Sequence, residues 1–143
     1  MKKKKINKRY IYHRDGEVCY YCKKTLHIGK VTLDHYYPRS LGGKFDVFNL
    51  VASCKRCNSF KKSRVPEDWK ALNIDMFKRG IVDGFINPIG GLSYKKSAIM
   101  DIVEAVSDYE LDHQFSIFIS GKYRIYIKEN KIFKIEVDPD LTS

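Results

Sequence analysis

Hydrophobic spacing changes character several times along the chain. Ile6, Tyr10 and Ile11 recur at helical intervals and stop at Arg14-Asp15-Gly16, which predicts a short helix ended by glycine. Before them, residues 1 to 5 carry four consecutive lysines that repel one another and bury nothing, so they read as a flexible basic arm. Lys30 to Tyr37 is rich in β-branched and aromatic residues and ends at Pro38, the signature of a strand. Beyond Gly42-Gly43, Phe45 to Ser53 returns as a second strand or extended segment, and Cys54 to Lys62, which holds no breaker, opens a helix.

Val65-Pro66-Glu67-Asp68 is the expected internal boundary, since proline suits a first helical position and acids complement the positive end of a helix dipole. Trp69, Leu72, Met76 and Phe77 then recur at helical spacing until Gly80, a stripe that reads as core packing. Residues 81 to 93, with Gly84, Gly90, Gly91 and Pro88, read as a loop. Ser93 is a candidate cap for a second helix whose inner face is Ala98, Ile99, Ile102, Val103 and Val106. The period then falls to two in Phe115/Ile117/Ile119, Tyr123/Ile125/Ile127 and Phe133/Ile135/Val137, three strands turning at Ser120-Gly121-Lys122 and Glu129-Asn130-Lys131. The expectation is an α+β protein: a module over residues 1–65, then a region over 66–143 with two helices and a three-stranded antiparallel sheet.

Composition narrows the class. Hydrophobic residues make up 43% of the chain, enough for a core, which excludes global disorder. No apolar run approaches the roughly 20 residues of a membrane helix, and polar residues follow the first lysines where a signal peptide would be apolar. A cytoplasmic protein without membrane contact is expected. The net charge of +10 is unevenly spread: residues 1 to 65 hold 17 Lys/Arg against 4 Asp/Glu, and the remainder 10 against 13. A basic field confined to one half suits a polyanion better than it suits general solubility.

All four cysteines fall in that basic half, as Cys19-x-x-Cys22 and Cys54-x-x-Cys57. Two such pairs complete a tetrahedral zinc site, and four thiolates leave no open coordination position, so the zinc would be structural. A thioredoxin-like redox pair is the rival reading, disfavoured by there being two pairs. Between them lies Asp34-His35. Adjacent strand residues point to opposite faces, so this pair suits a strand end where one side chain reaches a metal and the other a water. Taken alone, it reads more readily as a solvated carboxylate and a half-buried imidazole.

It does not stand alone. Leu33-Asp34-His35-Tyr36-Tyr37-Pro38-Arg39-Ser40-Leu41-Gly42-Gly43, then Asp46, Asn49-Leu50-Val51 and Cys54-Lys55-Arg56-Cys57-Asn58-Ser59-Phe60-Lys61, closely resembles the HNH nuclease motif, the ββα-metal finger. Arg14-Asp15-Gly16 through Cys22 is similar to the lead-in of zinc-stabilised members. The resemblance covers about residues 13 to 64.

It implies an endonuclease that hydrolyses DNA phosphodiester bonds. His35 would be the general base, and Asp34 would bind a divalent ion at the scissile phosphate. Asn49 would bridge the loop so that His35 stays oriented. Asn58 matches the third letter of the motif, which is His in many members and Asn in others. With Asp34 and Asn58 both offering oxygen, Mg²⁺ fits the catalytic position, with Mn²⁺ as the alternative, beside the structural Zn²⁺. Arg39, Lys44, Lys55, Arg56, Lys61, Lys62 and Arg64 are the expected phosphate contacts. Tyr20, Tyr21, Tyr36 and Tyr37 are expected to pack round the knuckle rather than stack on nucleotides. The acidic C-terminal region suits core support or a homodimer contact better than a backbone clamp. The rival from another class is a non-catalytic zinc-finger DNA-binding protein, which has no need of Asp34, His35 and Asn58 together.

Overall fold

A computed structural model describes the backbone of residues 2 to 140 and the side chains of residues 7 to 140. It divides into two compact units, Met1–Glu67 and Asp68–Ser143.

The first unit begins with helix α1 (Lys2–Arg14). Of the arm expected over residues 1 to 5, Met1 lies outside the described residues, and Lys2 to Lys5 instead form the start of this helix; lysine is a good helix former and nothing in the stretch breaks one. Gly16 ends it in the left-handed region at φ +83°, where its N–H meets the His13 carbonyl at 3.1 Å. Strands β1 (Thr32–His35) and β2 (Leu50–Ser53) pair antiparallel, with Asp34 opposite Val51 and His35 opposite Leu50. The second strand is shorter than the expected Phe45–Ser53 run because Val47–Asn49 winds into a single 3₁₀ turn before it. Helix α2 (Lys55–Lys61) follows directly, so the order is ββα.

Apolar burial by Ile11, Leu26, Val31, Val47, Phe48, Leu50 and Val51 holds these elements together, each large side chain contributing about 1.5–3 kcal/mol. A buried polar clamp adds to it. Arg14 donates to the carbonyls of Val47 (2.7 Å) and Leu50 (2.5 Å), while its neighbour Asp15 pairs with the guanidinium at 2.9 Å and accepts the Ala52 N–H at 2.8 Å. The end of α1 is thereby fixed to β2.

The loop between the strands makes one demand on sequence that only glycine meets. A Cβ at Gly43 would lie 1.8 Å from the Tyr37 carbonyl oxygen, and the Gly43 N–H bonds the Pro38 carbonyl at 2.9 Å. Gly43→Ala must push this loop away from the end of β1. Denaturant unfolding is expected to show a loss of about 1–3 kcal/mol, the usual cost of overpacking; unchanged stability would mean that the loop relaxes freely.

The second unit comprises α3 (Trp69–Val82), β3 (Asn87–Pro88), α4 (Lys96–Glu104), β4 (Asp108–Leu111), β5 (Ser116–Ser120), β6 (Tyr123–Lys128) and β7 (Lys131–Val137). The expected three-stranded antiparallel sheet is in fact a five-stranded mixed one, in the order β3-β7-β6-β5-β4, with β3 parallel to β7. With two residues, one of them proline, β3 has no alternation to read, and β4 offers only Tyr109 and Leu111. The alternation also breaks within β7: a register shift pairs Ile127 with Ile132 and leaves Phe133 over as a bulge, so Ile132 is buried while Phe133 and Val137 are exposed. Helix α4 starts after Lys95, not at a Ser93 cap. The core of this second unit stacks Phe77 on Phe118 at 3.9 Å and Phe118 on Tyr109 at 4.5 Å. Among the described residues no helix is long and apolar enough to cross a membrane.

Candidate active site and zinc knuckle

The two cysteine pairs converge. One ligand sulfur from each of Cys19, Cys22, Cys54 and Cys57 lies within 4.8 Å of the others. Backbone geometry on both sides makes the knuckle: the Lys23 N–H returns to the Cys19 carbonyl at 2.9 Å, and Cys54 caps α2, its sulfur accepting the Cys57 N–H at 3.4 Å. The thiols are electrically unequal. Burial pushes Cys19 up, but the backbone amides of Cys22, Cys54 and Tyr21 outweigh it and bring its pKa to about 6. Hydrogen bonding to Cys54, reinforced by burial, pushes Cys57 up to about 12. Four sulfurs this close cannot all ionise without a cation among them, and an all-sulfur set of this size suits Zn²⁺.

Tyr21, between the first two ligands, ties the knuckle to the hairpin. Its hydroxyl donates to Asp34 Oδ2, and its ring stacks on Tyr36 at 6.3 Å and meets Tyr20 edge-on at 5.6 Å. Burial, then the hydrogen bond to Asp34, drives the phenol pKa upward, so the hydroxyl remains a donor throughout the physiological range.

Asp34 is itself buried at 6% exposure, and its second donor is Lys61, with Nζ 3.4 Å from the same oxygen. Lys61 Nζ also donates to the His35 carbonyl at 2.9 Å. Lys61, expected from the sequence to be one of the phosphate contacts, is turned inward and buried. Its charge is what allows the Asp34 carboxylate to sit out of water. Lys61→Met therefore leaves a buried, uncompensated carboxylate and is expected to destabilise the first unit by about 3–5 kcal/mol without divalent ions. Urea unfolding measures this, and a loss under about 1 kcal/mol would rule out the counter-ion role.

His35 ends β1 with its ring 5.7 Å from that of Phe45. Burial lowers its pKa below the ordinary imidazole value; Asp34 opposes this, and the positive charges of Arg39 and Lys61 add to it. The imidazole is thus neutral at pH 7 and has a basic nitrogen to offer. Asn49, fully buried, closes the loop behind it: its Oδ1 accepts the Tyr37 N–H at 2.9 Å, and its Nδ2 donates to the carbonyls of Tyr37 (3.1 Å) and Lys44 (3.2 Å).

Although they alternate along one strand, Asp34 and His35 line a single cleft of about 470 Å³ with Pro38, Arg39, Ser40, Lys62 and Ser63. Asn58 is not among its walls. Asn58 Nδ2 donates to Thr32 Oγ1 at 3.1 Å, two residues before Asp34 on the same strand. The amide thereby turns one end to the hairpin and keeps its oxygen for another partner. Asp34 likewise commits Oδ2 to Tyr21 and Lys61, while no donor among the described residues is bonded to Oδ1. Two oxygens of this kind fit a hard divalent ion. The remaining cations divide: Arg39 and Lys62 face the cleft, whereas Arg56 and Arg64 line a groove elsewhere on α2. Lys55 is exposed, and Lys44 is half-buried.

Residues 19 to 71 match the family model of the HNH endonucleases. The match is confined to this segment, where the chain is similar to an HNH endonuclease domain. No curated protein matches the chain.

Proposed function

We propose that this domain hydrolyses DNA phosphodiester bonds, with His35 as general base and a divalent ion held by Asp34 and Asn58. The observation that carries the reading is the shared cleft, in which a buried, charge-balanced carboxylate, a neutral imidazole and two exposed cations face one space. When bound, Mg²⁺ or Mn²⁺ supplies positive charge to the scissile phosphate and to the leaving 3′ oxygen. His35 removes the proton from the attacking water. Asn49 holds the loop that fixes the His35 backbone, and Tyr21 with Lys61 keeps the Asp34 carboxylate in one orientation. Arg39 and Lys62 hold the phosphates flanking the cleaved bond without reading sequence. The four cysteines keep the ββα frame together around zinc.

Supercoiled plasmid provides the test. Purified protein with added Mg²⁺ is expected to convert it to relaxed or linear forms, and to lose that activity without divalent ions. A protein that binds DNA yet is inert over a panel of substrates and metals would be a zinc-stapled binding module instead.

A further inference from the structure

A second groove, of about 710 Å³, runs along α2; it shares Tyr21, Cys22, Cys54, Cys57 and Lys61 with the cysteine cluster and the Asp34 clamp, while its other walls have no part in the proposed chemistry. Its walls include Cys22, Phe60, Val65 and Pro66, and Lys24, Arg56 and Arg64 stand round it. Phe60 is 72% exposed, the most exposed large hydrophobic among the described residues of its unit, and Val65 beside it is 42% exposed. A lone exposed apolar side chain means little. Here Arg56 stands one helical turn before the exposed ring, and Arg64, just beyond the end of α2, bonds the Phe60 carbonyl through Nη2 at 3.1 Å. No carboxylate lines the groove.

An aromatic face in an apolar basin ringed by arginine and lysine matches one ligand chemistry closely: a planar, uncharged ring attached to phosphates. We propose that the groove receives an unpaired nucleobase of the DNA substrate, stacked on Phe60, with its flanking phosphates on Arg56, Arg64 and Lys24. The volume admits a base and its sugar, and base–aromatic stacking is tolerant of sequence. A paired base cannot reach the ring face without leaving its stack, so the groove selects DNA containing a bulge, gap or single-stranded segment. This proposal rests on the DNA-nuclease reading and narrows its substrate.

The test compares two oligonucleotide duplexes, one fully paired and one identical except for a single unpaired 2-aminopurine, binding to the zinc-loaded full chain without added divalent ions. The bulged duplex is expected to bind about tenfold more tightly or better, with quenched 2-aminopurine fluorescence. Phe60→Ala should remove both the preference and the quenching while paired-duplex affinity changes by less than about twofold; Phe60→Trp should retain both. Since Phe60 is on the surface, both variants are expected to fold, which unchanged zinc content verifies. Equal affinity for the two duplexes, or a preference that survives Phe60→Ala, overturns the proposal. If the same protein still cleaves plasmid, only the groove assignment falls; if it neither binds nor cleaves any DNA, the nuclease reading falls with it.

Discussion

His35→Ala is expected to lower the rate of DNA cleavage by at least about 10²–10⁴, the usual worth of a positioned general base, while DNA affinity and fold persist. The separation follows from what the side chain touches. Its ring meets Phe45, whereas the charged contact made to this residue, from Lys61 Nζ, goes to its backbone carbonyl and survives truncation. Asp34→Ala should differ in kind, because that carboxylate holds both the Tyr21 hydroxyl and the Lys61 ammonium. It should lose stability as well as metal affinity, and raised Mg²⁺ should recover part of its activity but almost none for His35→Ala. The pH profile of the parent supplies a second check. Only the neutral imidazole can accept a proton, and burial with nearby positive charge lowers its pKa. A divalent ion held at Asp34 pushes in the same direction. Activity should therefore fall with decreasing pH through a value below the ordinary imidazole range near 6.5. Wild-type rates in His35→Ala, or a limb well above pH 7, would remove His35 from the role.

Much of this site is visible in the sequence because its parts are fixed by short-range spacing. Each Cys-x-x-Cys spacing brings two sulfurs to one side, in a turn at Cys19 and Cys22 and at the start of α2 at Cys54 and Cys57, and Asp34-His35 ahead of Pro38 suits a strand end. What stayed hidden depends on how elements pack. Tyr21 reads as one tyrosine among four, and its role emerges only when the hairpin brings Asp34, thirteen residues on, to its hydroxyl. Lys61 shares a basic run with Lys62 and Arg64; the rotation of α2 over β1 decides that it alone points inward. The spacing Asn58 to Lys61, one helical turn, was the available signal, since Asn58 and Lys61 then share the face that meets β1. Arg14-Asp15 reads as the end of a helix, while its carbonyl partners lie more than thirty residues away. In the second unit, periodicity identified the helices and the central strands, which are buried on one or both faces. It failed at the margins, where β3 and β4 are too short to alternate and the bulge at Phe133 reverses the inward face.

Removing zinc is expected to unfold the first unit and leave the second structured. The first unit comprises fewer than 70 residues, a size at which an apolar core alone gives marginal stability. Its two cysteine pairs join the knuckle after α1, whose Tyr20 N–H reaches the Ala52 carbonyl of β2 at 2.8 Å, to the start of α2. Without a cation, the Cys19 thiol, its pKa lowered to about 6, is ionised at neutral pH beside a Cys57 thiol pushed up to about 12, so the cluster holds buried negative charge with no counter-ion. Structural zinc in small modules contributes about 10–16 kcal/mol of apparent binding free energy, more than such a unit has in reserve. The second unit has no cysteine and builds its own core on Phe77, Tyr109 and Phe118. Metal analysis of the full chain should find about one zinc per molecule. Hydrogen exchange after strong chelation should show protection lost across residues 19 to 61 and retained in β5 and β6. Cys54→Ser should act as chelation does, because it removes one of the four clustered sulfurs, while the serine hydroxyl can still cap α2. Protection over residues 19 to 61 that survives complete zinc removal would show that the Arg14-Asp15 clamp and the apolar core hold the nuclease frame without the metal.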